Sequence, residues 1–425
     1  MNIDALYELY LQNPSIETDT RKLKKGDIFF ALKGPNFNGN HYLQQAFESG
    51  ASYCVADETT AYQHENIILV EDVLTTLQQL ARKHRMQFDI PFIAITGSNG
   101  KTTTKELVSE VLSKKYKTYT TFGNLNNHIG VPLTLLSIKK DAEIAVIEMG
   151  ANHQKEIEGY CEYAMPTHGI ITNVGKAHLE GFGGEEGVKK GKGELFDYLR
   201  EHGGVAFIYS DYAYLKEMSA GIKHIITYGE NSGEYRGTIL NDDNFLEVAI
   251  KNGTQISSIK TQLVGNYNLP NILTAVCIGK TFNVPDESIK AALEDYTPTN
   301  SRSQLIKIGS NKIILDAYNA NPSSMKAAIN NFANMEGNNK ILMLGGMMEL
   351  GEESIKEHAG IVDLIASNNW NKVVLVGKDY LTLPSGVIHF NSSLEAKEWY
   401  HQQHFTDCLI LIKGSRSMQM EKIVE

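Results

Sequence analysis

The residues best suited to chemistry lie in the run Thr96-Gly97-Ser98-Asn99-Gly100-Lys101-Thr102-Thr103. A nucleoside triphosphate carries several negative charges. Main-chain N–H groups in a glycine-rich turn point at such charges, and the N-terminus of the following helix adds a favourable dipole. Lys101 is positioned to bridge the outer phosphates and the Thr102 hydroxyl to ligate Mg2+. The spacing is the short G-x-x-G-K-T-T form, because Ile95 stands where the general phosphate-loop pattern has its first glycine. The flanks fit a phosphate site. Phe92–Thr96 is an apolar run suited to a buried parallel strand, and Leu107, Val108, Val111 and Leu112 recur at helical spacing in Thr102–Lys115.

Phosphoryl chemistry needs Mg2+, and Mg2+ takes oxygen ligands. Glu148 ends the apolar run Ile144–Met149, and ligands of open α/β sheets sit beyond the carboxyl ends of strands. A metal ligand and a local cap or salt bridge are both open readings of it. His178 follows the strand-like Gly169–Thr172 and the turn Asn173-Val174-Gly175, and reads either as a second metal ligand or as a hydrogen-bonded structural histidine. Lys189, Lys190 and Lys192 precede Glu194, and on spacing alone they read as a solvated helix face. His401 and His404 stand in an H-x-x-H spacing and read as surface residues.

These groups must be held by sheets. Residues 1–89 contain the strand-like Asp27–Leu32 and Ile67–Val70, a helix over Val73–Arg85 and a Gly/Asn-rich loop at Lys33–Asn40, ending in the linker-like Asp89-Ile90-Pro91. Residues 90–299 alternate Phe92–Thr96, Ile144–Met149, Gly169–Thr172, Val205–Tyr209 and His224–Thr227 with helical stretches, which predicts a mainly parallel sheet. Residues 300–425 restart the rhythm. Strands are expected at Lys312–Asp316, Lys340–Leu344, Lys372–Val376 and Cys408–Lys413, and helices at Ser323–Asn334, Glu353–Ser367 and Leu394–Gln403, giving a Rossmann-like unit. The fold class is therefore α/β in three domains.

Composition narrows the function. The 425 residues are 42% hydrophobic and 21% charged, a globular balance. A formal charge of −10 disfavours nucleic acid and membrane surfaces as partners. Cys54, Cys161, Cys277 and Cys408 form no CxxC pair and suit a reducing compartment. No signal peptide is read at Met1–Asn13, and no apolar stretch approaches the roughly 18 residues of a membrane span. A cytoplasmic location is expected.

Several further runs join the phosphate loop in resembling the Mur ligase family. Gly123-Asn124-Leu125-Asn126-Asn127-His128-Ile129-Gly130-Val131-Pro132 closely resembles the segment in the member that adds D-alanyl-D-alanine. So do Glu148-Met149-Gly150-Ala151-Asn152-His153, Asp316-Ala317-Tyr318-Asn319-Ala320-Asn321-Pro322, Leu344–Gly351 and Lys413-Gly414-Ser415-Arg416. The resemblance runs from Thr18 to Arg416. It implies an amino-terminal UDP-sugar-binding domain, a central ATPase domain and a Rossmann-like ligase domain that closes over ATP by a hinge near residue 300.

The implied reaction is ATP-dependent ligation of D-alanyl-D-alanine to UDP-N-acetylmuramoyl-tripeptide through an acyl phosphate. A monomeric enzyme, ATP and Mg2+, with room for a second ion, complete the expectation. Gly97 to Thr103 match the family's ATP loop, and Thr102, Glu148 and His178 its metal ligands. Lys192 aligns with a lysine that the family carbamylates, which would turn a cation into a carboxylate-like ligand. Asn268 and Asn271 resemble the adenine-binding asparagines, with a helix N-cap as the alternative for Asn268. Arg302 and Asp316 resemble residues reaching the phosphates and ribose, with Tyr318, Asn319 and Asn321 beside them. Thr20, Arg21, Gly39, Asn126 and Asn127 fall in the implied UDP-sugar and peptide region. There Asn38 and Asn40 replace an expected Asp and His, and His128 an expected Asp.

Two rival readings are kept. One is a related ligase that adds a single amino acid, or glutamate to folate; the Asn124–Pro132 and Asp316–Pro322 runs argue against it. The other is a phosphate-loop switch protein with no acyl acceptor, which would leave Glu148, His178 and Lys192 without a joint role.

Overall fold

A computed structural model of the chain describes residues 2–299, 301–337, 339–380 and 386–425. Asn300, where the third unit is expected to begin, lies outside the described residues.

The largest sheet is built from the runs that carry the phosphate loop. Its nine strands lie in the order Ser258–Lys260, Glu247–Asn252, Tyr235–Asn241, His224–Gly229, Val205–Tyr209, His168–Ile171, Phe92–Thr96, Ile144–Glu148, Thr118–Thr120. Every residue of Phe92–Thr96 and Ile144–Glu148 is buried, as parallel strands covered on both faces require. Pairing is parallel from Thr118–Thr120 across to Tyr235–Asn241 and antiparallel over the last two junctions. Phe92–Thr96 comes first in the chain among these strands, yet it lies inside the sheet with later strands on both sides. It is a topological switch point, and the crevice at its carboxyl end is where such sheets bind ligands. Helices Lys101–Ser113 and Leu269–Thr281 pack on one another. Glu185–His202 lies against Phe92–Thr96, His168–Ile171 and Val205–Tyr209.

The amino-terminal sheet has four parallel strands, Ile16–Glu17, Ile28–Phe30, Tyr53–Ala56 and Ile67–Leu69. The helix Val73–Arg85 forms over the expected residues, with Asp72 as N-cap accepting from Thr75 N and four basic residues in its last turn. It packs on Gly130–Leu136 and Glu156–Ala164. From its end, buried Arg85 donates to the carbonyls of Ala164 and Met165, and its guanidinium lies 3.6 Å from the centroid of the Phe92 ring. The Lys33–Asn40 stretch, expected to be a plain loop, contains a hairpin of Lys33–Gly34 with Phe37–Asn38 and the start of a 3-10 turn over Gly39–Tyr42.

The carboxy-terminal sheet runs Gln304–Ile308, Asn311–Asp316, Leu409–Lys413, Lys340–Gly345, Lys372–Val376, Val387–Phe390, antiparallel only at its first pair. Its first parallel strand, Asn311–Asp316, ends facing the central sheet. The unit sits in a closed arrangement against the phosphate loop. Asn321 Nδ2 donates to Asn99 Oδ1 at 2.8 Å, Lys176 N to Ser323 Oγ at 2.9 Å, and the Tyr267 and Ser303 hydroxyls are 2.9 Å apart.

A largely buried histidine adds a pH dependence to the core's stability. His168 starts a central strand and stacks on Phe207, and burial pushes its pKa from 6.5 down to about 4. Below pH 6.5 the unfolded chain takes up this proton and the folded one does not. Stability is therefore lost as pH falls from 6.5 towards about 4, by about 3 kcal/mol at most. The urea midpoint measured across this range should fall more steeply for the natural chain than for His168→Phe; parallel curves would contradict the assignment.

Candidate active site

The phosphate loop leaves Thr96 at the switch point and enters the helix Lys101–Ser113 at Gly100. Two glycines are required by shape. Gly97 has φ +142° and a Cβ there would lie 2.0 Å from Thr172 Oγ1; Gly100 has φ +78° and a Cβ would lie 2.7 Å from Asn271 Oδ1. The segment after strand His168–Ile171 pins the loop. Ser98 N donates to Asn173 O, Asn99 N to Asn173 Oδ1, the Thr172 hydroxyl to Asn99 O, and Gly175 N to Ser98 Oγ. Lys101 Nζ donates to the carbonyls of Gly97 (2.7 Å) and Ser98 (3.3 Å), and burial together with Arg302 lowers its pKa, with Glu148 acting in the opposite direction.

Glu148 closes the neighbouring strand and is 1% exposed. Its Oε1 accepts from the Thr102 hydroxyl at 3.1 Å and from Asn126 Nδ2 at 2.7 Å. Its Oε2 is buried with no hydrogen-bond partner. A carboxylate oxygen left bare beside a threonine hydroxyl at the mouth of a phosphate loop suits a hard divalent cation. Among the described residues no group of three or more His, Cys, Asp or Glu side chains is arranged to hold a metal.

Lys192 is not on a solvated face. It is fully buried, its Nζ donates to Ala151 O at 2.9 Å and lies 4.8 Å from the centroid of the Phe182 ring, and its pKa is driven well below 10.5 by burial and by the charge of Lys101. The signal was present in the sequence. Val188, Lys192, Leu195, Phe196 and Leu199 recur at helical spacing and all are buried, so the lysine belongs to the apolar stripe of Glu185–His202. Lys190 is exposed, as are His401 and His404. His178 adopts φ +53°, and its Nδ1 lies 2.5 Å from Glu349 Oε2 without hydrogen-bond alignment. The histidine holds the Glu349 carboxyl below its usual range.

Asn271 Oδ1 accepts from the Thr104 hydroxyl, and its Nδ2 donates to Asn268 Oδ1, behind Gly100. Asn268 occupies the N-cap position of Leu269–Thr281, but its side chain makes no cap bond and donates to Val264 O. Across the crevice, the Arg302 guanidinium lies 3.6 Å from the centroid of the Tyr318 ring. Asp316 accepts from Ser303 N and pairs with buried Lys413 at 2.6 Å. Asn319 Oδ1 accepts from Ala320 N, and Asn321 caps Pro322–Asn334 in a reciprocal box with Ser324. Lys413 stands in a run that carries the family resemblance but was given no role from sequence, and Ser303 and Thr172 were given none either. Lys413 stands in a strand-end run with no acidic neighbour, and Asp316 lies about a hundred residues earlier, a pairing only the fold reveals.

One cavity of about 680 Å³ is lined by Ser98–Thr103, Glu148, His178, Asn268, Asn271, Arg302, Asp316, Tyr318, Asn319, Asn321 and Lys413, together with Asn126, Asn127 and His128. Lys192 does not line it, although its acceptor residue Ala151 does. Thr20, Arg21 and Gly39 are not brought there. Arg21 is exposed and pairs with Asp19. Gly39 is buried, and a Cβ there would lie 2.6 Å from the Ala31 and Leu32 backbone. Asn126, expected near the sugar or peptide, spends its amide on Glu148. Asn127 Oδ1 accepts from Ile129 N and Gly130 N at the start of the next helix. Asn38 and Asn40 are knit to each other, to Glu58 and to Asp57.

A glycine-rich turn opening a helix, a bare carboxylate beside it and a second sheet unit across the cavity make up the candidate site. Family models match in three consecutive stretches: Mur ligase family, catalytic domain over residues 14–85; Mur ligase middle domain over 95–279; and Mur ligase, glutamate ligase domain over 301–416. The chain belongs to the Mur ligase family. It is 34% identical over 449 aligned positions to the UDP-N-acetylmuramoyl-tripeptide–D-alanyl-D-alanine ligase of Bacillus subtilis (strain 168), covering 100% of this chain and 97% of that protein. A crystal structure of MurF from Acinetobacter baumannii superposes with a TM-score of 0.88 at 31% identity, covering 96% of this chain and 92% of that one. The MurF ligase of Thermotoga maritima in complex with ADP gives 0.87 at 26% identity, covering 97% of each chain.

The strain at Gly97 yields a direct test. Gly97→Ala would force a shift of the loop or of Thr172 at ~1–3 kcal/mol, weakening nucleotide binding by about tenfold to a hundredfold. Titration with a fluorescent ATP analogue should detect this, and natural affinity would contradict the loop's role.

Proposed function

We infer that this chain is the ATP-dependent ligase that joins D-alanyl-D-alanine to UDP-N-acetylmuramoyl-tripeptide, giving the UDP-linked pentapeptide precursor of peptidoglycan. The observation that carries this reading is the single cavity in which the phosphate loop, Glu148 and the carboxy-terminal Arg302 and Asp316 converge. Support for the particular acceptor comes from the 34% identity, over its whole length, to a ligase named for that dipeptide. This favours the reading over a ligase for single amino acids.

The chemistry begins with a poor electrophile. The tripeptide's terminal carboxylate attacks the γ-phosphorus of ATP, ADP leaves, and the acyl phosphate now carries a leaving group. The free amine of D-alanyl-D-alanine adds to the acyl carbon, and the tetrahedral species expels phosphate. The protein's work is positioning and charge stabilisation. The amides of Gly97–Thr103 and the N-terminus of the next helix receive the phosphates, and Lys101 exchanges its carbonyl partners for phosphate oxygens. Asn268 and Asn271 stand where the adenine edge would be read. Arg302, Asp316, Tyr318, Asn319 and Asn321 reach the nucleotide from the other side when the unit closes.

Thr102 and Glu148 would hold Mg2+, which when bound offsets the charge of the phosphates. His178 and a carbamylated Lys192 are proposed for a second ion. Burial lowers the pKa of Lys192 and so raises the share of neutral amine, the form that adds CO2 and releases a proton to give the carbamate. We assign residues 1–89 to the UDP-sugar end, 90–299 to ATP and 300–425 to closure, in a cytoplasmic monomer. Among the described residues no helix is long and apolar enough to cross a membrane.

ADP release measured with UDP-muramoyl peptides should require D-alanyl-D-alanine, and turnover with single amino acids alone would refute the acceptor. For Lys192→Ala, activity should collapse and return in part with added short-chain carboxylates. A natural-level rate without carboxylate, or an unmodified Lys192 by intact mass in active enzyme, would rule out the carbamate.

A further inference from the structure

The short segment after strand His168–Ile171 touches two parts of the molecule at once. On one side Asn173 and Gly175 hold Ser98 and Asn99 of the phosphate loop. On the other, the main chain of the next residue, Lys176, donates to Ser323 Oγ, and its Nζ lies 2.6 Å from Glu357 Oε1 on the helix Ser354–Ala366. Glu357 is 3% exposed. Lys176 is the one cation within salt-bridge distance of it among the described residues. The second carboxylate near Lys176, Glu185, is 3.4 Å away with 64% of its side chain in solvent, so it gains much less from the pairing. A carboxylate this far from water is costly without its partner, and a pair broken by removing one member costs more than the pair contributes. Lys176 and Glu357 come from different sheet units, so they meet only when the carboxy-terminal unit is seated.

We propose that Lys176 and Glu357 form a closure latch for the ATP site. The pair touches neither the phosphate loop's ligand face nor the reacting carboxylate. It is a positioning pair that favours the arrangement in which Arg302, Asp316 and Asn321 face the loop. A nucleotide that contacts both units binds the closed form better, so its apparent affinity scales with the fraction of molecules that are closed. The latch therefore sets ATP affinity from outside the nucleotide's contact shell. The proposal rests on the reading of the cavity as the ATP site and is independent of the acceptor's identity.

The test is calorimetric titration of the full chain with Mg-ATP in the absence of acceptor, followed by steady-state kinetics. Glu357→Gln and Lys176→Met should each weaken ATP binding by about 3- to 10-fold. The KM for ATP should rise in step, while kcat at saturating ATP stays within about twofold and the KM for the dipeptide is unchanged. The double variant should lose no more than either single one, since the two residues act as a unit. Unchanged ATP affinity in both single variants, additive losses in the double, or a rise of every KM together with a lowered melting temperature would overturn the latch. Failure of the acceptor assignment would show only in the kinetics and would leave the calorimetric result standing.

Discussion

The account depends on a carboxylate kept out of water with one oxygen bare. Glu148 is held at the end of a buried strand, one oxygen satisfied by Thr102 and Asn126 and the other by nothing in the described chain. Such a group would destabilise a protein that had no use for it, since a buried acceptor left without a hydrogen bond costs about 1–3 kcal/mol. Its neighbours explain why it is retained. It lies one strand from the glycine-rich turn, and under the proposed function a Mg2+ ion between it and the nucleotide's phosphates would take the bare oxygen. The switch point of the central sheet puts these elements side by side, because the strand feeding the loop and the strand ending in Glu148 are adjacent and parallel.

Closure follows from the same geometry. The loop is not a free hairpin; Thr172, Asn173 and Gly175 fix its shape from the next strand, and Asn321 reaches Asn99 from the carboxy-terminal unit. The amino-terminal unit is joined differently, through the buried Arg85 and a packed helix. One junction is built as a buried bridge. The other adds hydrogen bonds and an ion pair at the edge of a polar cavity, contacts that can form and release during turnover, to apolar packing around Leu179 and Leu350. On both sides of Arg302 the backbone is left-handed, at Ser301 and Ser303. This turns the guanidinium onto Tyr318 and towards the loop.

Much of this was legible in the residues. Phe92–Thr96 and Val73–Arg85 fall where the pattern puts them, because each has one dominant signal: complete burial in the first, an apolar stripe with a cap and basic last turn in the second. The strands Tyr235–Asn241 and Glu247–Asn252 were missed, since half-exposed antiparallel strands carry polar residues that resemble loops. The helix Ile3–Gln12 was not singled out either; its buried face is Leu6, Tyr7 and Tyr10, and Tyr has no strong helical preference. In the site, residues close in sequence were readable and distant pairs were not. Lys101, Thr102 and Gly97 announce themselves and Lys192 falls on a readable apolar stripe, whereas the pairing of Asp316 with Lys413 emerges only once strands and helices are packed.

A crystal structure of the full chain with Mg2+ and a non-hydrolysable ATP analogue tests the central claim most directly. The account predicts β- and γ-phosphates cradled by Gly97–Thr103, and a metal ion that takes the bare Glu148 oxygen and the Thr102 hydroxyl. Phosphates lying away from that turn, or a metal shell that leaves Glu148 out, would contradict it.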